Sequence, residues 1–260
     1  MYNLSSVTLN PDGPILSITL QNSGNGDRIG LETVSNLWDA FEFFESDETL
    51  RVLTIEGSNG IFSEGSTLLP SEIRASDKSA IDIIRQYQVA NRLSQITKPT
   101  IAAIDGKAYG QGLEIALACD IRIATATASL GFPESSIGLI PWDGGTQRLP
   151  RFAGLGVATQ MLLLGKLLTA NEALQAGLIS EIVPASDLHG NATGLANQIA
   201  TSAPVAAKYI KEAIKGSGEL PLGEGFRLEA DLNMLLFSTS DRAEGVSSFL
   251  DKRNPDFKGS

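Results

Sequence analysis

Cysteine is nearly absent: the 260 residues contain only Cys119. No intramolecular disulfide can form, and no cysteine-rich metal site can be assembled. Histidine is equally scarce, with His189 alone in the polar stretch ASDLHGNATG. A Ser–His–Asp set would have to draw on that residue, which lies far from the glycine-rich turns, and a histidine-rich metal site is excluded. Positive charge is in deficit, with 20 Lys and Arg against 30 Asp and Glu and a net charge of −10. A nucleic acid or anionic membrane would need a local basic patch against that field. The only clustered basic stretch is the short DKRNPDFK near the end. No apolar run approaches the ~20 residues of a membrane helix. The opening MYNLSSVTLNPDGP lacks the basic-then-apolar pattern of a secretory leader. These absences point to a cytoplasmic chain with neither nucleic acid nor membrane as partner.

What is present is glycine, at 26 residues, and an alternation of strand and helix patterns. ILSITL (15–20), LRVLTIEG (50–57), TIAAIDG, DIRIAT and LISEIVP read as strands, rich in β-branched residues and closed by turns. LETVSNLWDAFEFFES carries Leu37, Phe41 and Phe44 at helical spacing. DKSAIDIIRQYQVANRLSQITKP is expected as one longer helix stopped by Pro99. SLGFPESSIGLIPWDGGTQRLPRFAG reads as loop, followed by helices over GVATQMLLLG and TANEALQAG, the latter capped by Thr169. From Ala185 the pattern is helical to the end. The fold class is therefore α/β, with a helical C-terminal portion from about Thr201.

Three glycine-rich segments carry the candidate chemistry. In GKAYGQGLEIALACDIRIAT, Gly110-Gln111-Gly112 opens a short, apolar helix with Glu114 in its first turn. Free N–H groups at a helix start favour anions. Glu114 either complements its helix dipole or serves a buried site. In GFPESSIGLIPWDGGTQRLPR, Glu134 follows a proline among apolar residues. It is either the second member of an acid–base pair or the partner of Arg148 or Arg151. In GSNGIFSEGSTLLP, the Gly65-Ser66 turn either directs an N–H into a cleft or is an ordinary surface loop.

Together these segments resemble the crotonase, or enoyl-CoA hydratase/isomerase, superfamily, from about Ile15 to the end. KPTIAAIDGKAYGQGLEIALACDIRIAT, FPESSIGLIPWDGGTQRLPR and SDRAEGVSSFLDKRNPDFKG are similar to its three long motifs, in order and at matching spacing. The resemblance implies a spiral of ββα units over residues 1–200. It also implies a C-terminal helical trimerisation region over 201–260, in a homotrimer or a hexamer made of two trimers. It implies acyl-CoA thioester substrates, no metal, and no cofactor beyond the coenzyme A of the substrate. By position, Glu114 and Glu134 match the two carboxylates of the hydratases. Ser66 and Gln111 match the residues whose N–H groups hold the thioester oxygen, with Gly65 and Gly110 forming their turns.

The chain departs from the family in several places. Gly65-Ser66-Thr67 replaces the usual Gly-Ala-Asp turn, and Gln111 replaces a glycine. QNSGNGDRIGLETV lacks the family's run that seats the adenine, leaving Arg28 as a candidate contact for the CoA phosphates or a surface charge. Lys252 and Arg253 match a closing basic pair that in relatives lies near CoA, or are surface charges. Trp142 is a candidate lining of the acyl pocket. Asp143 is a candidate third carboxylate or a helix cap near Gly144. Acting as an acid, Asp143 would suit a dienoyl- or cyclic enoyl-CoA. An enoyl-CoA isomerase and a catalytically silent acyl-CoA-binding protein are the other readings.

Overall fold

The computed structural model describes residues 2–21, 27–68 and 79–260. Part of the QNSGNGDRIGLETV run, the end of the Gly65-Ser66 loop segment and the start of the expected long helix lie outside the described residues.

In chain order the strands are β1 (Tyr2–Asn3), β2 (Val7–Asp12), β3 (Ile15–Leu20), β4 (Val52–Gly57) and β5 (Thr100–Ile104). They continue with β6 (Lys107–Tyr109), β7 (Ile121–Thr125), β8 (Ser129–Gly131), β9 (Leu168–Thr169) and β10 (Glu181–Val183). The helices begin with α1 (Leu31–Ser46), α2 (Ala80–Gln86), α3 (Ala90–Leu93), α4 (Gln111–Ala118) and α5 (Gly145–Leu164). They end with α6 (Ala170–Gln175), α7 (Leu188–Ala200), α8 (Pro204–Ser217), α9 (Leu222–Leu236) and α10 (Ser240–Asp251). Among the described residues no helix is long and apolar enough to cross a membrane.

The strands form two sheets. The larger runs β1-β2-β3-β4-β5-β7-β10, antiparallel at the N-terminal end and parallel from β3 onward. The smaller runs β6-β8-β9. Its construction is repetitive: β5, β6 and α4 make one ββα turn, and β7, β8 and α5 make the next. Each turn gives one strand to either sheet before a helix returns the chain. Strands β4 and β5 are buried nearly throughout, as parallel strands covered on both faces must be. One face meets the main core around Phe44, Phe62 and Phe132. The other is covered by α7, whose Leu188, Ala192, Ala196 and Ala200 recur every four residues along one stripe.

Two expectations change. The helix expected through residues 77–98 is broken into α2 and α3, because side chains from elsewhere in the fold bind the backbone at 87–91. Conversely, TQRLPRFAG is helical rather than loop: α5 begins at Gly145 and bends at Gly154, where φ is +75°. Local sequence offers α5 no capping side chain. The acceptor for its first N–H comes from Glu114, described below. The strand at Val7–Asp12, paired with β3 around a glycine turn, and the short strands of the small sheet were not marked by the sequence pattern.

The small sheet sets how closely the chain segments of the site approach. A Cβ on Gly112 would lie 2.6 Å from Ser63 Cβ and 3.0 Å from Ser63 O. Gly112→Ala is therefore expected to lower stability by about 1–3 kcal/mol through overpacking. A urea midpoint equal to that of the parent chain would contradict this close packing.

Candidate active site

Three segments run side by side into the site. Ser63 pairs in parallel with Ala108 of β6, and Tyr109 pairs in parallel with Gly131 of β8. Ser63 N–H donates to Lys107 O, Tyr109 N–H to Ser63 O, and Gly110 N–H to Gly131 O. Because the segments are parallel and in register, their continuations emerge at the same end. These are Gly65-Ser66, Gly110-Gln111 and Pro133-Glu134. Gly65 (φ +106°) and Gly110 (φ +50°) adopt conformations that favour glycine. A Cβ on Gly65 would lie 3.4 Å from Tyr109 O and 3.9 Å from Gln111 N. A Cβ on Gly110 would collide with Glu134 Oε1.

This geometry leaves two N–H groups unused. Ile29 bridges to Ser66 by donating to Gly65 O and accepting from Thr67 N, which turns the Ser66 N–H to the opposite side. Gln111 is the first residue of α4, where an N–H has no intrahelical acceptor. Among the described residues neither N–H donates to a protein acceptor.

Glu114 is 1% exposed. Its Oε1 accepts the N–H groups of Asp143 and Gly145, each at 2.8 Å. It therefore caps the start of α5 rather than merely complementing its own helix. Burial pushes its pKa from 4.5 to about 8, with the charges of Asp143 and Glu134 adding to the rise and the two N–H bonds opposing it. Glu134 sits in the 3-10 turn Pro133–Ile137, also buried, and burial raises its pKa as well. It does not pair with the arginines considered from sequence: Arg148 donates to Asp143 O and Arg151 to Gln147 O. Among the described residues, three buried side-chain polar atoms lack a partner: Gln111 Oε1, Glu134 Oε2 and Trp142 Nε1. Gln111 and Glu134 belong to the converging segments, and Trp142 precedes Asp143, whose N–H Glu114 accepts. Unmatched buried polar atoms are uncommon in native folds, and their grouping here makes this the candidate site.

Asp143 is brought to the site's edge with both oxygens occupied. Oδ2 accepts from Val89 N and Ala90 N at 2.6 Å each, and Oδ1 from Asn91 N at 2.8 Å. It caps α3, not the helix near Gly144. Gln111 Nε2 donates to Tyr87 O. Arg28 is exposed and adjoins the Ile29–Ser66 bridge. Lys252 is exposed at the end of α10, and Arg253 pairs with Glu244. Neither of these two has a described contact with the converging segments. Sequence reasoning missed Ser63, the Tyr87 carbonyl and the Gly145 N–H. Backbone groups carry no residue signature, so only register could have revealed them.

A profile of the enoyl-CoA hydratase/isomerase family matches residues 11–260. The chain belongs to that family. It is 36% identical over 256 residues to the 2,3-dehydroadipyl-CoA hydratase of Escherichia coli, covering 98% of this chain and all of that one. It is 32% identical to the short-chain-enoyl-CoA hydratase of Clostridium acetobutylicum, over 96% of each chain. The crystal structure of an enoyl-CoA hydratase from Bacillus anthracis superposes with a TM-score of 0.90 at 31% identity, covering 98% of this chain and all of that one. The crotonase-type spiral of ββα units is thus present in this enoyl-CoA hydratase/isomerase chain, with helices at its C-terminal end.

For a family member built this way, the buried carboxyl group has a thermodynamic consequence. Between pH 4.5 and about 8, folded Glu114 holds a proton that the unfolded chain has released. Its contribution to stability is therefore fullest below pH 4.5 and is lost as pH rises through about 8. Glu114→Gln keeps a carbonyl acceptor for both N–H groups and abolishes the titration. Thermal melts at pH 5 and pH 8 are expected to show the variant gaining Tm over the parent at the higher pH. An unchanged difference between the two proteins across that range would exclude the buried titration.

Proposed function

We propose that the chain adds water across the 2,3 double bond of an enoyl-CoA thioester, with Glu114 and Glu134 moving the protons. The observation that carries this reading is two buried carboxyl groups flanking two unpartnered backbone N–H groups. Enoyl-CoA hydratase activity is also the class shared by the relatives named above. Two acids whose environments raise and couple their proton affinities can hold one proton between them, which is the state hydration requires. The ionised carboxylate takes a proton from water as its oxygen bonds to C3. The protonated one delivers its proton to C2, and the double bond between C2 and C3 is consumed. During the addition, negative charge builds on the thioester oxygen. The N–H groups of Ser66 and Gln111 receive it there, each contributing ~3–4 kcal/mol in the transition state. Because the donors are main-chain groups, Gln111 in place of glycine leaves this function intact while adding bulk beside the acyl group.

Gly65 and Gly110 form the two turns, and Trp142 lines the acyl side in this reading. Arg28, beside the Ser66 turn, and Lys252 are the proposed contacts for the CoA phosphates. The three N–H partners of Asp143 support a holding role for it over proton transfer to a more distant carbon. No cofactor beyond the substrate's own coenzyme A is needed, and the proposed setting is the cytoplasm. Residues 1–200 carry the site, and 201–260 are proposed to assemble a homotrimer or a hexamer of two trimers. Support comes from the exposed apolar side chains of α8–α10, among them Ile210, Ile214, Phe226, Met234 and Phe249. Solvent-facing clusters of that kind mark protein contacts.

Glu114→Gln and Glu134→Gln are each expected to lower kcat by about 10²–10⁴-fold. The assay follows loss of the conjugated thioester absorbance over short, long, dienoyl and cyclic enoyl-CoAs. Parent-level turnover in either variant would remove that residue from the reaction. Light scattering is expected to give a mass three or six times 27.5 kDa, and a single-chain mass would overturn the assembly.

A further inference from the structure

A closed loop of polar contacts links the two chemical devices of the site. Glu114 Oε1 accepts from Asp143 N at 2.8 Å. The Asp143 carboxylate accepts from Val89, Ala90 and Asn91 at 2.6–2.8 Å. Two residues before Val89, the Tyr87 carbonyl accepts the Gln111 side-chain amide. Gln111 opens the helix that carries Glu114 one turn later, and its own N–H is one of the two unused donors. The loop thus runs from one carboxyl group, through an acidic side chain and a broken helix, back to the donor for the thioester oxygen. The three side chains in it, Glu114, Asp143 and Gln111, are each at least nine-tenths buried, which limits competition from water. The helix break itself serves the loop. A continuous helix through 87–91 would consume the Val89, Ala90 and Asn91 N–H groups internally, leaving Asp143 buried and unpaired at considerable cost.

We propose that Asp143 is a positioning residue for hydration, fixing the Glu114 carboxyl group relative to the Gln111 N–H through the Val89–Asn91 turn. This rests on the assignment of Glu114 to proton transfer. Asp143 acts twice on the same neighbour. Its main chain and its grip on α3 set where the Glu114 oxygen lies. Its negative charge also raises the proton affinity of Glu114. The other charged groups acting there are Glu134, which raises that affinity, and the Arg148 guanidinium, which interacts with both Asp143 and Glu114. A residue that merely stabilised the fold would do the first without the second.

Two substitutions separate these effects. Asp143→Asn keeps a carbonyl oxygen for the Val89 and Ala90 N–H groups and removes the charge. Asp143→Ala removes both. With crotonyl-CoA as substrate, Asp143→Ala is expected to lose about 10–100-fold in kcat, with KM little changed, because the reacting groups are misplaced while binding is kept. Asp143→Asn is expected to recover most of that loss. In Asp143→Asn, the limb of the pH profile governed by Glu114 is expected to move to lower pH than in the parent. The direction holds whether Glu114 gives or takes the proton, since losing a nearby negative charge favours its ionised form either way. Parent-level kcat in Asp143→Ala, or an unmoved limb in Asp143→Asn, overturns the proposal. If Asp143→Ala does not fold, the Asp143→Asn limb alone decides. Glu114→Gln run alongside separates the two claims. An active Glu114→Gln defeats the hydration reading, whereas an inactive one beside a parent-like Asp143→Asn profile defeats only this inference.

Discussion

A single buried oxygen, Glu114 Oε1, accepts the N–H that opens another helix and the N–H two residues before it, and the site is organised around that contact. Placing a carboxyl group where water cannot reach it is unfavourable unless its hydrogen bonds are made. Here the same bonds that make burial tolerable also give α5 its missing cap. The helix start and the acid hold each other, so neither can be displaced without exposing unpaired polar atoms in the interior. The first turn of the short α4 is then fixed twice: by Glu114 on the start of α5, and by the Gln111 amide on the Tyr87 carbonyl.

The glycines allow the remaining approach. Gly65 and Gly110 turn with positive φ, and the absence of side chains lets three main-chain segments and the Glu134 carboxyl group share one small volume. Side chains at those positions would force the turns apart and separate the two N–H groups from the acids. Parallel register in the small sheet does the rest, because residues at equal distance beyond paired strands arrive together. The arrangement is also energetically tense. Two acids with raised proton affinity, and three unmatched polar atoms, are features that a fold selected for stability alone would avoid, and they gather at the candidate site.

Much of the fold is legible in the sequence. The β-branched runs at 15–20, 100–104 and 121–125 are strands because they are covered on both faces. The apolar spacing of Leu37, Phe41 and Phe44 holds across α1. The Thr169 cap closes as a full capping box with Glu172. Local chemistry decides such elements, so local patterns reveal them. The long helix expected through 77–98 failed for the converse reason. Its residues favour a helix, but Asp143, more than fifty positions away, takes the N–H groups in its middle. The loop expected around TQRLPR became helix because its cap came from Glu114, some thirty positions upstream.

The sequence by itself determined which residue types were available: two glutamates in apolar surroundings, glycines where turns must be tight, one histidine, one cysteine, and more acidic than basic side chains. Those are properties of composition and short range, and they exclude whole classes of chemistry without reference to shape. Only the tertiary structure decided that Glu134 lies over Gly110 rather than beside an arginine, and that Asp143 grips a distant turn. It alone left the N–H groups of Ser66 and Gln111 unclaimed. The reason is that hydrogen-bond partners of buried groups are chosen by strand register and chain crossing. Neither is written in any window of neighbouring residues.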